Sequence, residues 1–93
     1  MVETGISAMT DSNLIRETIR QSVNRITGIA PSEILDTSRY RADLGLDSLA
    51  ALEVVVDVEY AFKIKVPEER IQAIETVQDT IAVVQEYLAT ANA

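Results

Sequence analysis

Few residues in this chain could do chemistry. Its 93 residues include no Cys and no His. That removes thiol nucleophiles, thiolate and imidazole metal ligands, and any Ser–His or Cys–His relay. Carboxylates, Lys, Tyr and hydroxyls remain, and one segment sets such groups at a suggestive spacing: Asp43-Leu44-Gly45-Leu46-Asp47-Ser48-Leu49. Asp43 and Asp47 match positions 1 and 5 of a calcium loop. Position 3 would then be Gly45 and position 12 would be Val54, neither with a side-chain oxygen, so the calcium reading fails. No metal site is expected. Asp47 can equally be a helix cap and Gly45 a turn residue, roles that need no chemistry. The Ser48 hydroxyl is the segment's other reactive group.

The elements around this segment read as helical. Hydrophobic residues are 47% and charged residues 25% of the chain, a globular composition. Aromatics are only 4%, so Val, Ile, Leu and Ala must build the core. A chain this short forms one domain and buries only about 60–65% of its unfolded surface. Ile15, Ile19, Val23 and Ile26 recur on one helical face and predict a first helix over 11–27. Asp11 or Ser12 would cap it and Gly28 would stop it. Arg16 and Arg20 lie one turn apart on the opposite side, as solvated surface.

A long connection, 29–47, holds Ile34, Leu35, Tyr40 and Leu44, which should tuck it against the helices. A loop of this length in a small domain is often functional. In the second helix, 47 or 48 to 62, Val54, Val55, Val56 and Val58 favour a strand locally. The stepping of Ala51, Leu52, Val55, Val58 and Phe62 is helical, and the span is too long for a strand. Ala51, Val55, Val58 and Phe62 should face the bundle. Pro67-Glu68-Glu69 suits the first turn of a short helix ending near Ile74. Thr76 caps the last helix, with Asp79 as a weak capping-box partner. Val77, Ile81, Val84 and Leu88 mark that helix's inner face. The expected fold is all-α: a small up-down bundle of three main helices plus a short one, with the long loop between the first and second. Residues 1–10 would be a disordered tail, with Met9 as an alternative start. Residues 11–89 would form the domain and 90–93 a C-terminal tail.

Eight bases against fifteen acids give a net charge of −7. All of it lies after residue 42, since 1–42 hold five acids and five bases. Nucleic acid and anionic membranes would repel this chain, and a basic protein partner is the natural complement to its second half. The N-terminus lacks a signal peptide's basic and apolar regions, and no apolar stretch approaches a membrane span. The expectation is a cytoplasmic monomer without membrane insertion.

The segment Leu44-Gly45-Leu46-Asp47-Ser48-Leu49 resembles the prosthetic-group attachment motif of acyl carrier proteins. Three further stretches resemble that family in the same order: Phe62 closing the second helix, Val66-Pro67-Glu68-Glu69 opening the third, and Ile74-Glu75-Thr76-Val77-Gln78-Asp79 opening the last. The resemblance covers about 11–89. It implies a carrier rather than an enzyme, with a 4′-phosphopantetheine arm covalently attached to Ser48 and Gly45, Asp47 and Leu49 around it. Acyl chains would ride as thioesters on the arm. Such a carrier needs one modifiable hydroxyl on a rigid element, and a helix's first turn favours an attached phosphate through its free amides and dipole. Gly45 would let the loop pass close to a partner's backbone.

The resemblance also implies partners: a phosphopantetheinyl transferase, and ketosynthase, acyltransferase or acyl-ligase enzymes with basic docking patches. Asp47, Glu53, Val56 and Glu59 match the family's interface positions on the second helix. Glu53, Asp57 and Glu59 read alone would be only a solvated face. Departures from the fatty-acid type are Ala50, Tyr60 and Ala61 in place of acids, Lys63 at a turn where Gly is frequent, Lys65 nearby, and Leu46 as in polyketide carriers. They point as readily to a specialised or polyketide role as to fatty-acid biosynthesis. The alternatives are an aminoacyl or peptidyl carrier, against which Leu46 argues mildly, and a structural interaction subunit with the fold but no arm. A core this small leaves little room for a permanent pocket.

Overall fold

A computed structural model describes residues 12–91. Among them are four α-helices and no strand: α1 (Ser12–Thr27), α2 (Ser48–Phe62), α3 (Glu68–Gln72) and α4 (Val77–Ala91), with a 3-10 turn at Pro31–Glu33 between α1 and α2. This is the expected bundle of three main helices, one short helix and a long loop. The tail 1–10, the Met9 start and the Asp11 cap lie outside the described residues. α4 runs to Ala91.

Ile15, Ile19 and Val23 of α1 are fully buried and join the core with Val54, Val58, Val77, Ile81, Val84 and Leu88. α1 packs chiefly on α2 and next on α4. Gly28 ends it at φ 83°, its amide donating to the Asn24 carbonyl at 2.7 Å, the left-handed C′ geometry that Gly adopts without Cβ strain. Arg16 and Arg20 are not the solvated surface expected of them. Arg16 donates to both carboxylate oxygens of Asp36, at 2.6 and 2.8 Å, and Arg20 donates to the Ile34 carbonyl at 2.9 Å. Both strap the long loop onto α1. The Arg16 hydrogen bonds and charge hold the Asp36 carboxyl below its usual range, against a smaller opposing effect of burial.

α2 is helical despite its valines, because tertiary burial outweighs local strand propensity. Its inner face differs from expectation. Val54, which the stepping pattern passes over, is fully buried, while Leu52 is 40% exposed. Phe62 is only partly covered, at the helix end where fewer neighbours reach the ring. Val54 and Val58, one turn apart, join the central cluster, and Val55 is buried at 4% exposure, as expected. Asp57 leaves the solvated face as well: buried Ser22 donates to it at 2.6 Å, and Arg25 pairs with it.

Within the loop, Ile34, Tyr40 and Leu44 are buried as expected, whereas Leu35 is 55% exposed. Residues 36–40 dock against the start of α4, where Ser38 and Asp36 carbonyls accept from the Val77 and Gln78 amides at 3.1 and 2.8 Å. These are the orphan donors of a helix N-terminus. Thr76 and Asp79 complete a reciprocal capping box: the Asp79 amide donates to Thr76 Oγ1, and the Thr76 amide to Asp79 Oδ2, both at 3.1 Å. Arg70 ties α3 to α4 through Glu86 at 2.8 Å and the Tyr87 ring.

Candidate functional site

Ser48 is the first residue of α2 and is exposed. Asp47 is its N-cap: in extended conformation (φ −82°, ψ −178°), its carboxylate accepts from the Ala50 amide at 2.8 Å. The Ser48 and Leu49 amides, the remaining donors of that first turn, have no acceptor among the described residues. Leu49 is 69% exposed beside them.

The approach to Ser48 is rigid for local reasons. Leu44 and Leu46 are buried on either side of Gly45, so alternate residues anchor the segment in the core. The Leu44 amide donates to the Arg39 carbonyl at 3.0 Å, Leu46 to Tyr40 at 2.9 Å, and the Asp43 carboxylate accepts from the Arg39 amide at 2.8 Å. Asp43 is thus a loop staple. Gly45 sits at φ 70°, a region that L side chains enter only with strain, and a Cβ there would meet nothing within 4 Å. Backbone conformation therefore favours glycine here, and open space lies in front of it.

Arg41 is a component of the site that the sequence reading missed. Its Nη2 donates to the Ser48 hydroxyl oxygen. The available signal was Arg39-Tyr40-Arg41, two of eight bases on either side of a core tyrosine just before the motif.

A groove of about 670 Å³ opens between residues 39–42, α2 and α3, with Ser48 on its rim. Leu52, Val55, Ile71 and Ile74 supply apolar lining. The partial exposure of Leu52 has its reason here, and the small core does leave room for a surface cleft. On the outer side of α2, Glu53 and Val56 are exposed with Tyr60. Glu59 is turned differently: it is half-buried, and its carboxylate accepts from the Val66 amide at 2.7 Å, closing the α2–α3 loop. Asp47, Ser48, Leu49, Glu53 and Val56 thus form one exposed end and side of α2, with Glu59 partly withdrawn.

Residues 17–84 match the family described as "Phosphopantetheine attachment site". The chain belongs to the acyl carrier protein family. An acyl carrier protein of Rhodococcus erythropolis is 37% identical over 82 residues, covering 88% of this chain and 89% of that protein. Meromycolate extension acyl carrier proteins of Mycobacterium tuberculosis and Mycolicibacterium smegmatis are 36% and 33% identical over 67 residues, or 72% of this chain. Those matches span 58% and 68% of the two relatives' own lengths.

Membership makes this chain an acyl carrier with 4′-phosphopantetheine held covalently on a serine. The carrier's first turn of α2 fits such a group. An exposed hydroxyl, two free amides, a helix N-terminus and a guanidinium converge there, a set of donors suited to a phosphodiester. No helix among the described residues is long and apolar enough to cross a membrane.

Proposed function

We propose that Ser48 is the serine that carries the prosthetic group. One observation supports this above others. The family match contains four serines, Ser22, Ser32, Ser38 and Ser48. Ser22 and Ser38 are buried and engaged, Ser22 with Asp57 and Ser38 with the Leu35 amide. Ser32 lies in the three-residue 3-10 turn. Ser48 is exposed at the start of a long helix, behind a loop stapled into one shape.

The chain's part in carrying is positional. When bound, the prosthetic group supplies a thiol on which acyl chains are held as thioesters. Asp47 keeps the first turn of α2 wound, Leu44 and Leu46 hold the loop down, and Gly45 and Leu49 leave the approach open. The thioester chemistry belongs to the partners: a phosphopantetheinyl transferase, then ketosynthase, acyltransferase or acyl-ligase enzymes. Asp47, Glu53 and Val56 offer them an acidic face with an apolar centre, and Glu59 adds charge at its edge. A basic patch on each partner would be steered toward it. The use of coenzyme A as donor agrees with a cytoplasmic setting.

The apolar wall of the groove favours an alkyl cargo over an aminoacyl or peptidyl one. The names of the meromycolate extension relatives support fatty-acid-type chain extension, and the departures at Ala50 and Tyr60 support a specialised branch of it. Intact-mass analysis of the protein purified from its native host tests this reading. The expected result is one phosphopantetheine per chain, part of it carrying a saturated or modified alkanoyl group. An aminoacyl adduct would reject the cargo, and an unmodified chain would favour the armless structural subunit.

A further inference from the structure

The contact between Arg41 and Ser48 joins a permanently charged guanidinium to a neutral hydroxyl. Acids outnumber bases fifteen to eight in this chain, so a guanidinium has many carboxylates to choose from. The ion pairs among the described residues engage Arg16, Arg25 and Arg70, and none engages Arg41. The three acids nearest in sequence are all occupied: Asp43 by the Arg39 amide and Asp47 by the Ala50 amide, each at 2.8 Å, and Asp36 by Arg16. The loop bearing Arg41 is held in place, with the Arg41 carbonyl accepting from the Gly45 amide at 3.2 Å and neighbouring Tyr40 buried in the core. Arg41 also lines both the groove beside Ser48 and the shallow concavity formed by residues 45–49.

We propose that Arg41 is the counter-charge for the phosphodiester on Ser48, pairing with its non-bridging oxygens and fixing the root of the arm at the mouth of the groove. This inference rests on the assignment of Ser48 as the attachment site. Esterification takes the proton from Oγ and makes that atom a poor acceptor, while the non-bridging oxygens of the new phosphodiester share a full negative charge close by. The Arg41 fork, with several donors in one plane, matches those oxygens better than it matches a hydroxyl. The free Ser48 and Leu49 amides and the positive end of α2 favour the same charge in the same place. Arginine serves better than lysine because its planar fork can hold two oxygens at once.

The test compares apo and holo forms of wild type, Arg41→Gln and Arg41→Lys, the holo forms made with coenzyme A and a broad-specificity transferase and checked by intact mass. Phosphorus NMR reads the phosphodiester, nitrogen-edited NMR reads the Arg41 side chain, and backbone amide spectra report folding. In wild type, modification should shift the Arg41 Nε–H resonance and slow its exchange with water. The phosphorus resonance should move in Arg41→Gln and lie between the two in Arg41→Lys. Added salt should carry the wild-type resonance toward the Arg41→Gln position and leave Arg41→Gln nearly still. Holo wild type and holo Arg41→Gln with the same phosphorus shift, and an Arg41 side chain blind to modification, would overturn this inference alone. If Arg41→Gln does not fold, the wild-type apo-to-holo response of Arg41 and its salt dependence decide the matter. A wild type that takes no group at Ser48 would overturn the attachment assignment and this inference together.

Discussion

The phenol of Tyr40 and the hydroxyl of Thr80 meet 2.6 Å apart in the core, though 40 residues separate them. Their bond pins the loop that leads to Ser48 onto α4. Tyr40→Phe removes the bond while keeping the ring. It should cost about 1 kcal/mol, a fall of roughly 4–8 °C in thermal midpoint for a domain of this size, with Ser48 still modified.

The same pair predicts an alkaline limit. Burial is the largest influence on the Tyr40 phenol and pushes its pKa well above the usual 10.0. The unfolded chain releases this proton near pH 10 and the folded chain holds it, so the stabilisation is complete below that pH and is lost as pH rises above it. Thermal midpoints measured from neutral pH to beyond 10 should fall for wild type and fall less for Tyr40→Phe. Parallel curves would place the phenol in solvent.

The register of α2 can be tested by paired truncations. Val54 is fully buried and Leu52 is 40% exposed. Val54→Ala should cost about 2 kcal/mol, from two buried methyl groups and the cavity they leave. Leu52→Ala should cost under about 1 kcal/mol although it removes more carbon. Phe62→Ala should fall below the ~3–5 kcal/mol of a fully buried ring. Denaturant midpoints at constant m-value check the order.

Lys63 closes α2 at φ 57°, ψ 48°, a left-handed position held by a residue with a Cβ. Lys63→Gly relieves strain of about 1–2 kcal/mol but gives the unfolded chain more freedom. A net gain of roughly 0.5–1 kcal/mol in unfolding free energy is expected. An unchanged or lower value would mean that the lysine side chain contributes packing or charge that offsets the strain.

How much of this was legible in the sequence depended on whether a residue's role was local. Ile15, Ile19 and Val23 declare α1 by their period, and Thr76 with Asp79 declares the start of α4, because helix faces and caps are written within a few residues. The proposed attachment segment stands out for the same reason: Gly45, Asp47 and Ser48 belong to one turn and one helix start. Long-range polar partnerships were not. Arg16 and Asp36 are 20 residues apart, Ser22 and Asp57 are 35 apart, and nothing in a helical wheel distinguishes those charges from solvated ones. Val54 was passed over because its place inside depends on how α2 is rotated against α1. Arg41 escaped notice because its partner lies across a turn whose shape only the folded loop defines.

The proposed docking face makes an electrostatic prediction. Glu53 is exposed near the start of α2 and lies off the core. Glu53→Lys should slow acyl loading by a basic partner at low ionic strength, and the defect should shrink as salt screens both attraction and repulsion. Folding should be unaffected. Equal loading rates at low salt would mean that partners recognise only the loop and Ser48.

The most direct test is to incubate wild type and Ser48→Ala with coenzyme A and a broad-specificity phosphopantetheinyl transferase, then measure intact mass. Wild type should gain the mass of one phosphopantetheine and release one adenosine 3′,5′-bisphosphate, with the group located on Ser48 by fragmentation. Ser48→Ala should gain nothing while keeping its helical circular dichroism. Modification of folded Ser48→Ala, at Ser32 or any other residue, would contradict the assignment.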